Sequence, residues 1–451
     1  MKKNKTIAMV EIAIVLCSVF LVAIPAIAAE QNQEMQKASA STNAVTTTSK
    51  DDYVLGVYGN ANEDDTIDMR DLTYVKLIFF GKKPVTKLAD AKYDGKINPL
   101  DFIQIKLIIL GRESELTLID SAGISKTFYL PITRIIALDD GNGEPLRVLE
   151  AEDLVVGVGS GLSEYDIILP EISKQPVVDG GGWPVVIDYE KVFSLEPDLF
   201  FTYAAWPLEG LEEQLEPYGV QVLRLDIHRL SEIAEDTLKL GYLLGKRDKA
   251  EEFVDFHEGY IGEIKSRTEG LSEAERPQVF IEYYGYGGDY FTCGEGTKAD
   301  EICTIAGGVN IAHDKGFYYF DVDPEWILEQ NPEIIVKPTF GSDWGYAVDE
   351  IQKHEWETEM EAVREETMTR AELADVPAVK DEKVYIVSGD IAQSGLQGFV
   401  YATYMAKWFQ PDLFEDLDPD AIHQEYIDGF LRIDYDVKKY GAFVYPPLEG
   451  I

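Results

Sequence analysis

The chain has 451 residues, 45% hydrophobic and 27% charged, the proportions of a globular protein long enough for two or three domains. Its formal net charge of -42 argues against a nucleic-acid partner, because phosphate recognition needs clustered Lys and Arg and no such stripe occurs. The acidity reads instead as a solvated surface that favours solubility.

Lys2, Lys3 and Lys5 precede an apolar stretch from Ile12 to Ala28 that ends in Ala26-Ile27-Ala28. A charged start, an apolar run and small residues at its end predict a signal peptide over 1–29 and an exported protein, extracellular or at the cell surface; an uncleaved amino-terminal anchor is the alternative. Leu16 before Cys17 argues against a lipid attachment site. Beyond the signal only Cys293 and Cys303 remain, either one short-loop disulfide or two buried thiols. Residues 30–52, rich in Gln, Ser, Thr and Ala, read as a flexible linker.

Residues 53–112 form a small all-α module with a doubled pattern. In the first copy Asn60, Asn62, Asp64, Asp68 and Asp71 occupy loop positions one, three, five, nine and twelve, and Thr66 offers its carbonyl at seven. Ca²⁺ takes six to eight hard oxygen ligands around a tight turn, and this spacing supplies them. The second copy places Asp90, Asp94, Lys96, Asn98 and Asp101 at positions one, five, seven, nine and twelve, but Lys92 stands at position three, where an ammonium cannot coordinate a cation. An apolar helix follows each loop. A polar linker is expected over 113–127.

From 128 onward short apolar runs alternate with helical spacing, which predicts α/β lobes with mostly parallel sheets over 128–230 and 271–451. Between them, 231–270 carries apolar residues at helical period without Pro and reads as a long bridging helix, kinked at most near Gly245. One phrase occurs in both lobes. Asp188-Tyr189-Glu190 leads through Pro197 into Leu199-Phe200-Phe201, and Asp323-Pro324-Glu325 leads through Pro332 into Ile334-Ile335-Val336. Each copy reads as a short helix opened by Asp and halted before Pro, then a buried strand. Two similar lobes imply a cleft between them.

The doubled loop-helix, with Asp at position twelve, resembles a type I dockerin. That resemblance implies Ca²⁺ as cofactor and a cohesin-bearing protein as partner. The body is similar to the periplasmic-binding family that captures ferric siderophores, haem and cobalamin for ABC importers. The points of likeness are Asp120-Ser121-Ala122-Gly123, Pro131-Ile132-Thr133-Arg134, the repeated phrase, the long helix and Ala306-Gly307-Gly308-Val309-Asn310. It implies two doubly wound lobes bridged by a long helix, a metal-chelate small molecule as ligand, and an ABC permease dimer met by Glu190 and Glu325. Glu at those positions also suits the helix dipole without any partner.

Ligands of open α/β sheets sit beyond the carboxyl ends of strands. The aromatics on those loops, Trp183, Tyr203, Trp206, Tyr284, Tyr286, Phe340 and Trp344, are the candidate contacts for a large, flat, partly apolar ligand. Only Lys337 lies nearby as a cation, which favours a neutral or cationic ligand. The five His show no ligand spacing for a bare metal. No catalysis is expected; a secreted carbohydrate-active enzyme and a structural surface protein are the alternatives.

Overall fold

The computed structural model describes residues 53–181, 185–204, 208–285, 287–339, 344–393 and 395–448. The expected signal and linker over 1–52 lie outside these, and no helix among the described residues is long and apolar enough to cross a membrane.

The first elements are helices Met69–Phe79 and Pro99–Ile109. Asp68 caps the first and Asn98 the second, and Asp71 and Asp101 reach back to the cap backbone, so both ends are closed reciprocally. Next come β1 (Glu115–Ile119) and β2 (Ser125–Tyr129), an antiparallel pair with Leu116 opposite Phe128. Asp120 accepts from the N–H groups of Ala122 and Ile124 and Gly123 takes a left-handed conformation, which sets the turn. The stretch 113–127 is therefore not a linker. Leu116, Leu118 and Phe128 alternate with polar residues and are fully buried, a strand period that the polar turn obscures in the sequence.

The first lobe holds a parallel sheet of β3 (Ile135–Ala137), β4 (Val155–Val158), β5 (Leu199–Thr202) and β6 (Gln221–Arg224) in the order β4-β3-β5-β6. Every residue of β5 is buried, as expected of a strand covered on both faces. The second lobe contains β7 (Gln278–Ile281), β8 (Phe291–Cys293), β9 (Val309–Asn310), β10 (Tyr319–Asp321), β11 (Ile334–Pro338), β12 (Val384–Val387) and β13 (Val444–Tyr445). Five of these make one sheet in the order β13-β12-β11-β7-β9, parallel except for β13, while β8 and β10 pair separately. The repeated phrase supplies helix Tyr189–Ser194 before β5 and helix Pro324–Gln330 before β11.

The expected long helix over 231–270 is two helices, Ile233–Leu243 and Arg247–Thr268. Gly245 between them has a φ of +65°, left-handed backbone that ends the first helix. The second packs on the far lobe through Phe256, whose ring lies 5.3 Å from that of Phe399 and 4.8 Å from that of Phe430.

The paired-loop module is seated on this connection. Gly56 N–H donates to Glu235 (2.9 Å), Ile67 N–H donates to the Tyr242 hydroxyl (3.1 Å), and Arg247 donates to the Ile67 carbonyl (2.9 Å) and the Thr66 hydroxyl (3.2 Å). Ser121 donates to buried Asp236, which also accepts from the Asp226 N–H and pairs with Lys239. One buried apolar cluster runs from Leu55 and Ile105 through Leu149 and Ile264 to Tyr426, so residues from 53 onward fold as a single unit. Cys293 and Cys303 are buried free thiols, and burial pushes the Cys293 thiol up to about 12.

Candidate functional site

Each loop leaving a first-lobe strand is tied down by an aspartate. Asp139, after β3, accepts from the Thr202 hydroxyl (2.7 Å) and Tyr203 N–H (2.8 Å) beyond β5. Asp179 accepts from Ser160 N–H (2.9 Å) and Gly181 N–H (2.8 Å), and Asp226, beyond β6, from Ala204 N–H (2.7 Å). Charge-assisted bonds of this kind hold the loops at the carboxyl edge of the sheet in fixed shape.

That edge meets the second lobe. The Glu144 carboxylate accepts from Leu396 N–H (3.0 Å), the Gln397 side-chain amide (2.8 Å) and the Tyr426 hydroxyl (2.7 Å). Burial pushes its pKa up, against those three donors. Gly141 allows the lobes this approach: a Cβ there would sit 2.0 Å from the Tyr203 hydroxyl and 3.4 Å from Gly395 Cα. At the β6 end of the edge, Arg229 donates to the Tyr318 hydroxyl of the second lobe.

At the β4 end the lobes line a half-open cavity of about 160 Å³. Glu164, Tyr165 and Ile168 line it from the first lobe, and Tyr346, Trp356 and Asp390 from the second. The Tyr346 hydroxyl donates to Gln397 Oε1 (2.8 Å) and its N–H to Asp390 Oδ2 (3.2 Å). Asp390 is 5% exposed, and its Oδ1 has no hydrogen-bond partner. Burial pushes the Asp390 carboxyl up to about 7, with Glu144 adding to the rise.

Of the aromatic candidates, Trp183, Trp206, Tyr286 and Phe340 lie outside the described residues. Tyr203 is buried, its ring 4.4 Å from that of His228. Tyr284 is 40% exposed and stacks at 5.6 Å and 12° on Trp344, which is itself buried and donates its indole N–H to Glu359 (3.1 Å). Trp344 thus supports the exposed Tyr284 ring from behind. Lys337 is not a free wall cation: it is buried against Glu282 (3.0 Å), which Arg370 also engages (2.6 Å). Against the penalty of burial, Lys337 and Arg370 hold Glu282 below the usual carboxylate range. Sequence reasoning missed Asp390, Tyr346 and Glu144; the one available signal was Ser388-Gly389-Asp390 directly after a strand.

Glu190 and Glu325 are exposed in the first turns of the matched helices, one on each lobe, and no ion pair among the described residues engages either. The doubled loops share one hydrogen-bond pattern. Asp71 accepts from Asn62 N–H (3.1 Å) and Asp68 N–H (2.8 Å), and Asp101 accepts from Lys92 N–H (3.0 Å) and Asn98 N–H (2.7 Å). Asp64 and Asp94 each accept from the N–H two residues on, that of Thr66 (3.1 Å) and Lys96 (3.0 Å). Asp90 caps Asp94 N–H (3.1 Å), as Asn60 does Asp64 N–H (3.2 Å). The Lys92 ammonium is turned outward to Glu115. Arg70 pairs with Asp64 (3.0 Å) and Asp68 (2.9 Å). Burial pushes Asp71 up to about 6, and Asp101 upward. Among the described residues no three Asp, Glu, His or Cys side chains group closely enough to hold a metal, so a cation here would draw as well on Asn60, Asn62, Asn98 and main-chain carbonyls.

Residues 170–390 match the periplasmic binding protein family. Over 211 residues, 45% of this chain, the sequence is 25% identical to the vitamin B12-binding protein of Salmonella typhi and covers 71% of it; the match to its counterpart in Salmonella paratyphi A is 25% and covers 63% of that protein. The fold is similar to a TroA-like periplasmic binding protein from Veillonella parvula, with a TM-score of 0.59 at 22% identity over 73% of this chain and 98% of that one. It is also similar to Helicobacter pylori CeuE in complex with nickel and histidine, TM-score 0.56 at 18% identity, over 72% of this chain and 98% of that one. Sequence and architecture thus point the same way: the segment 170–390 matches the periplasmic binding protein family, within a body whose fold is similar to that of a TroA-like periplasmic binding protein.

Proposed function

We propose that the protein is the extracytoplasmic solute-binding component of an ABC importer for a metal-chelate ligand of the cobalamin, ferric-siderophore or haem kind. The observation that carries this is the meeting of two α/β lobes, with Tyr284 exposed on the loop after β7 and braced by Trp344, and with Lys337 neutralised by Glu282 and Lys298 buried against the Gln393 and Gly395 carbonyls. Stacking and dispersion suit a large planar chelate, and a wall without free lysine suits a neutral or cationic one. The relatives named for vitamin B12 support this class of ligand.

Capture and delivery divide between the groove and the outer helices. Glu190 and Glu325 stand one per lobe on a body whose lobes Glu144 ties together, so they present two carboxylates at fixed separation to a two-fold permease. The paired-loop module is the attachment element: Ca²⁺ would be held by Asn60, Asn62, Asp64, the Thr66 carbonyl, Asp68 and Asp71, and by Asp90, Asp94, the Lys96 carbonyl, Asn98 and Asp101, and a cohesin-bearing protein is the partner. A dication there offsets the carboxylates that burial now disfavours.

Calorimetric titration of the exported chain with cyanocobalamin, ferric siderophores and haem, with and without Ca²⁺, tests the ligand class. Tight binding with the chelate recovered unchanged is expected. Chemical turnover, or failure of every chelate to bind, would sink the proposal. For docking, a Glu190→Ala, Glu325→Ala double variant should bind ligand normally and fail in uptake; normal uptake removes that role.

A further inference from the structure

The cavity at the β4 end of the groove is too small for a whole chelate. Pockets that enclose a ligand run to ~300–1,000 Å³, whereas a water takes ~30 Å³, so a cavity of about 160 Å³ has room for about five heavy atoms. It is therefore a subsite for a projecting group of something lying in the groove.

Its chemistry is one-sided. Asp390 forms part of the lining with one carboxylate oxygen that no donor meets, although the residue is only 5% exposed. Glu164 and Asp166 are exposed at the rim, and among the described residues no Lys or Arg lines the cavity. The walls include the rings of Tyr165 and Trp356, whose faces attract cations. A buried carboxylate without a counter-charge is unfavourable, and a donor that carries positive charge removes that cost most fully. At the opposite end Arg229 bonds Tyr318 and lies close to Glu232 and Glu301.

We infer that this cavity is a recognition subsite for a protonated amine or guanidinium group of the bound ligand, with Asp390 as the partner of the charge and Glu164 and Asp166 as its entry rim. The inference rests on the solute-binding reading above and narrows it to ligands that bear a positively charged arm.

The Asp390 carboxylate is faced by Tyr346 N–H and the Tyr435 phenol from its own lobe and by the carboxylate of Glu144 from the other, while the Ser388 hydroxyl accepts from the Asp390 main-chain N–H. Because its carboxyl is pushed up to about 7, a cationic arm displaces its proton, and affinity for that arm rises as pH goes from 6 to 8.

The test uses n-butylammonium, five heavy atoms, against 1-butanol and butyrate, read by ligand-observed NMR on the full exported chain. n-Butylammonium should bind about tenfold more tightly than 1-butanol at pH 8, and Asp390→Asn should remove that advantage. Butyrate should not bind. Should Asp390→Asn fail to fold, the surface pair Glu164→Gln, Asp166→Asn serves instead and should weaken n-butylammonium about threefold by loss of long-range attraction. Equal binding of n-butylammonium and 1-butanol, or an unchanged preference in the variants, overturns the inference. Cyanocobalamin and ferric siderophores titrated on the same samples separate the two readings: chelates that bind while the amine does not leave the solute-binding function standing without this subsite.

Discussion

Replacing Glu144 by Ala should cut the tie between the lobes. Its carboxylate accepts from Leu396 N–H, Gln397 and Tyr426, and all three of those residues are fully buried, so each donor loses its acceptor with no water to replace it. A buried donor left unpaired costs ~1–3 kcal/mol, while removal of a desolvated carboxylate returns part of that, for a net loss of about 3 kcal/mol. For a unit of about 400 residues at ~2.1 cal/mol/K each, that lowers the melting temperature by about 3–4 °C. The pH dependence has a definite sign. Burial raises the Glu144 pKa, so its favourable contribution is complete below the ordinary carboxylate value and is lost as pH rises through the raised one. The gap between wild type and Glu144→Ala should therefore be widest in acid and narrow toward neutral pH, whereas the gap between Glu144→Gln and Glu144→Ala, neither of which ionises at 144, should show no such trend. Calorimetric melting from pH 4 to 8 reads both quantities. A Glu144→Ala protein that melts within about 1 °C of wild type at every pH would refute the reasoning.

Three further contacts of the fold can be tested in the same way. Ca²⁺ at a thousandfold excess over its dissociation constant should stabilise the fold by ~4 kcal/mol, with the effect growing from pH 5 to 7 as Asp71 ionises and shrinking in Asp71→Asn; equal melting in Ca²⁺ and in chelator contradicts it. Arg247→Ala removes the bonds to Ile67 and Thr66 and the guanidinium 5.1 Å from the Tyr242 ring, so hydrogen exchange should quicken over 53–112 by the equivalent of ~1–3 kcal/mol while β5 and β11 are unaffected. Exchange that rises equally everywhere argues against a seam at that arginine. Glu282→Gln leaves Lys337 and Arg370 with a weakened partner and should cost ~3–5 kcal/mol in urea unfolding, an effect that an unchanged midpoint would disprove.

The lobes were legible because their signals are local. The Asp-opened helix, the Pro and the apolar strand sit within one short stretch, and each copy folds as that stretch dictates. The seat of the paired-loop module was not legible. It depends on contacts such as Gly56 with Glu235 and Thr66 with Arg247, more than 170 positions apart, and helical period reveals only that a face is buried. Gly245 illustrates the limit of propensity: within an apolar helical pattern a glycine reads as a kink, and only its left-handed backbone turns it into an end. Asp390 was hidden differently. After Ser388-Gly389 it looks like a residue of a helix's first turn, and only the cavity against Tyr165 and Ile168 of the other lobe gives it a second meaning.

The hairpin between module and body bears on how such a chain can be recombined. Leu116, Leu118 and Phe128 are covered by the module on one side and continuous with the lobe core on the other. A cut at residue 112 would leave them bare, and the excised piece would lose the Glu235, Tyr242 and Arg247 that hold its loops. The paired-loop module is thus not a detachable cassette: any transplant must carry along the helices beneath it and the seam between them.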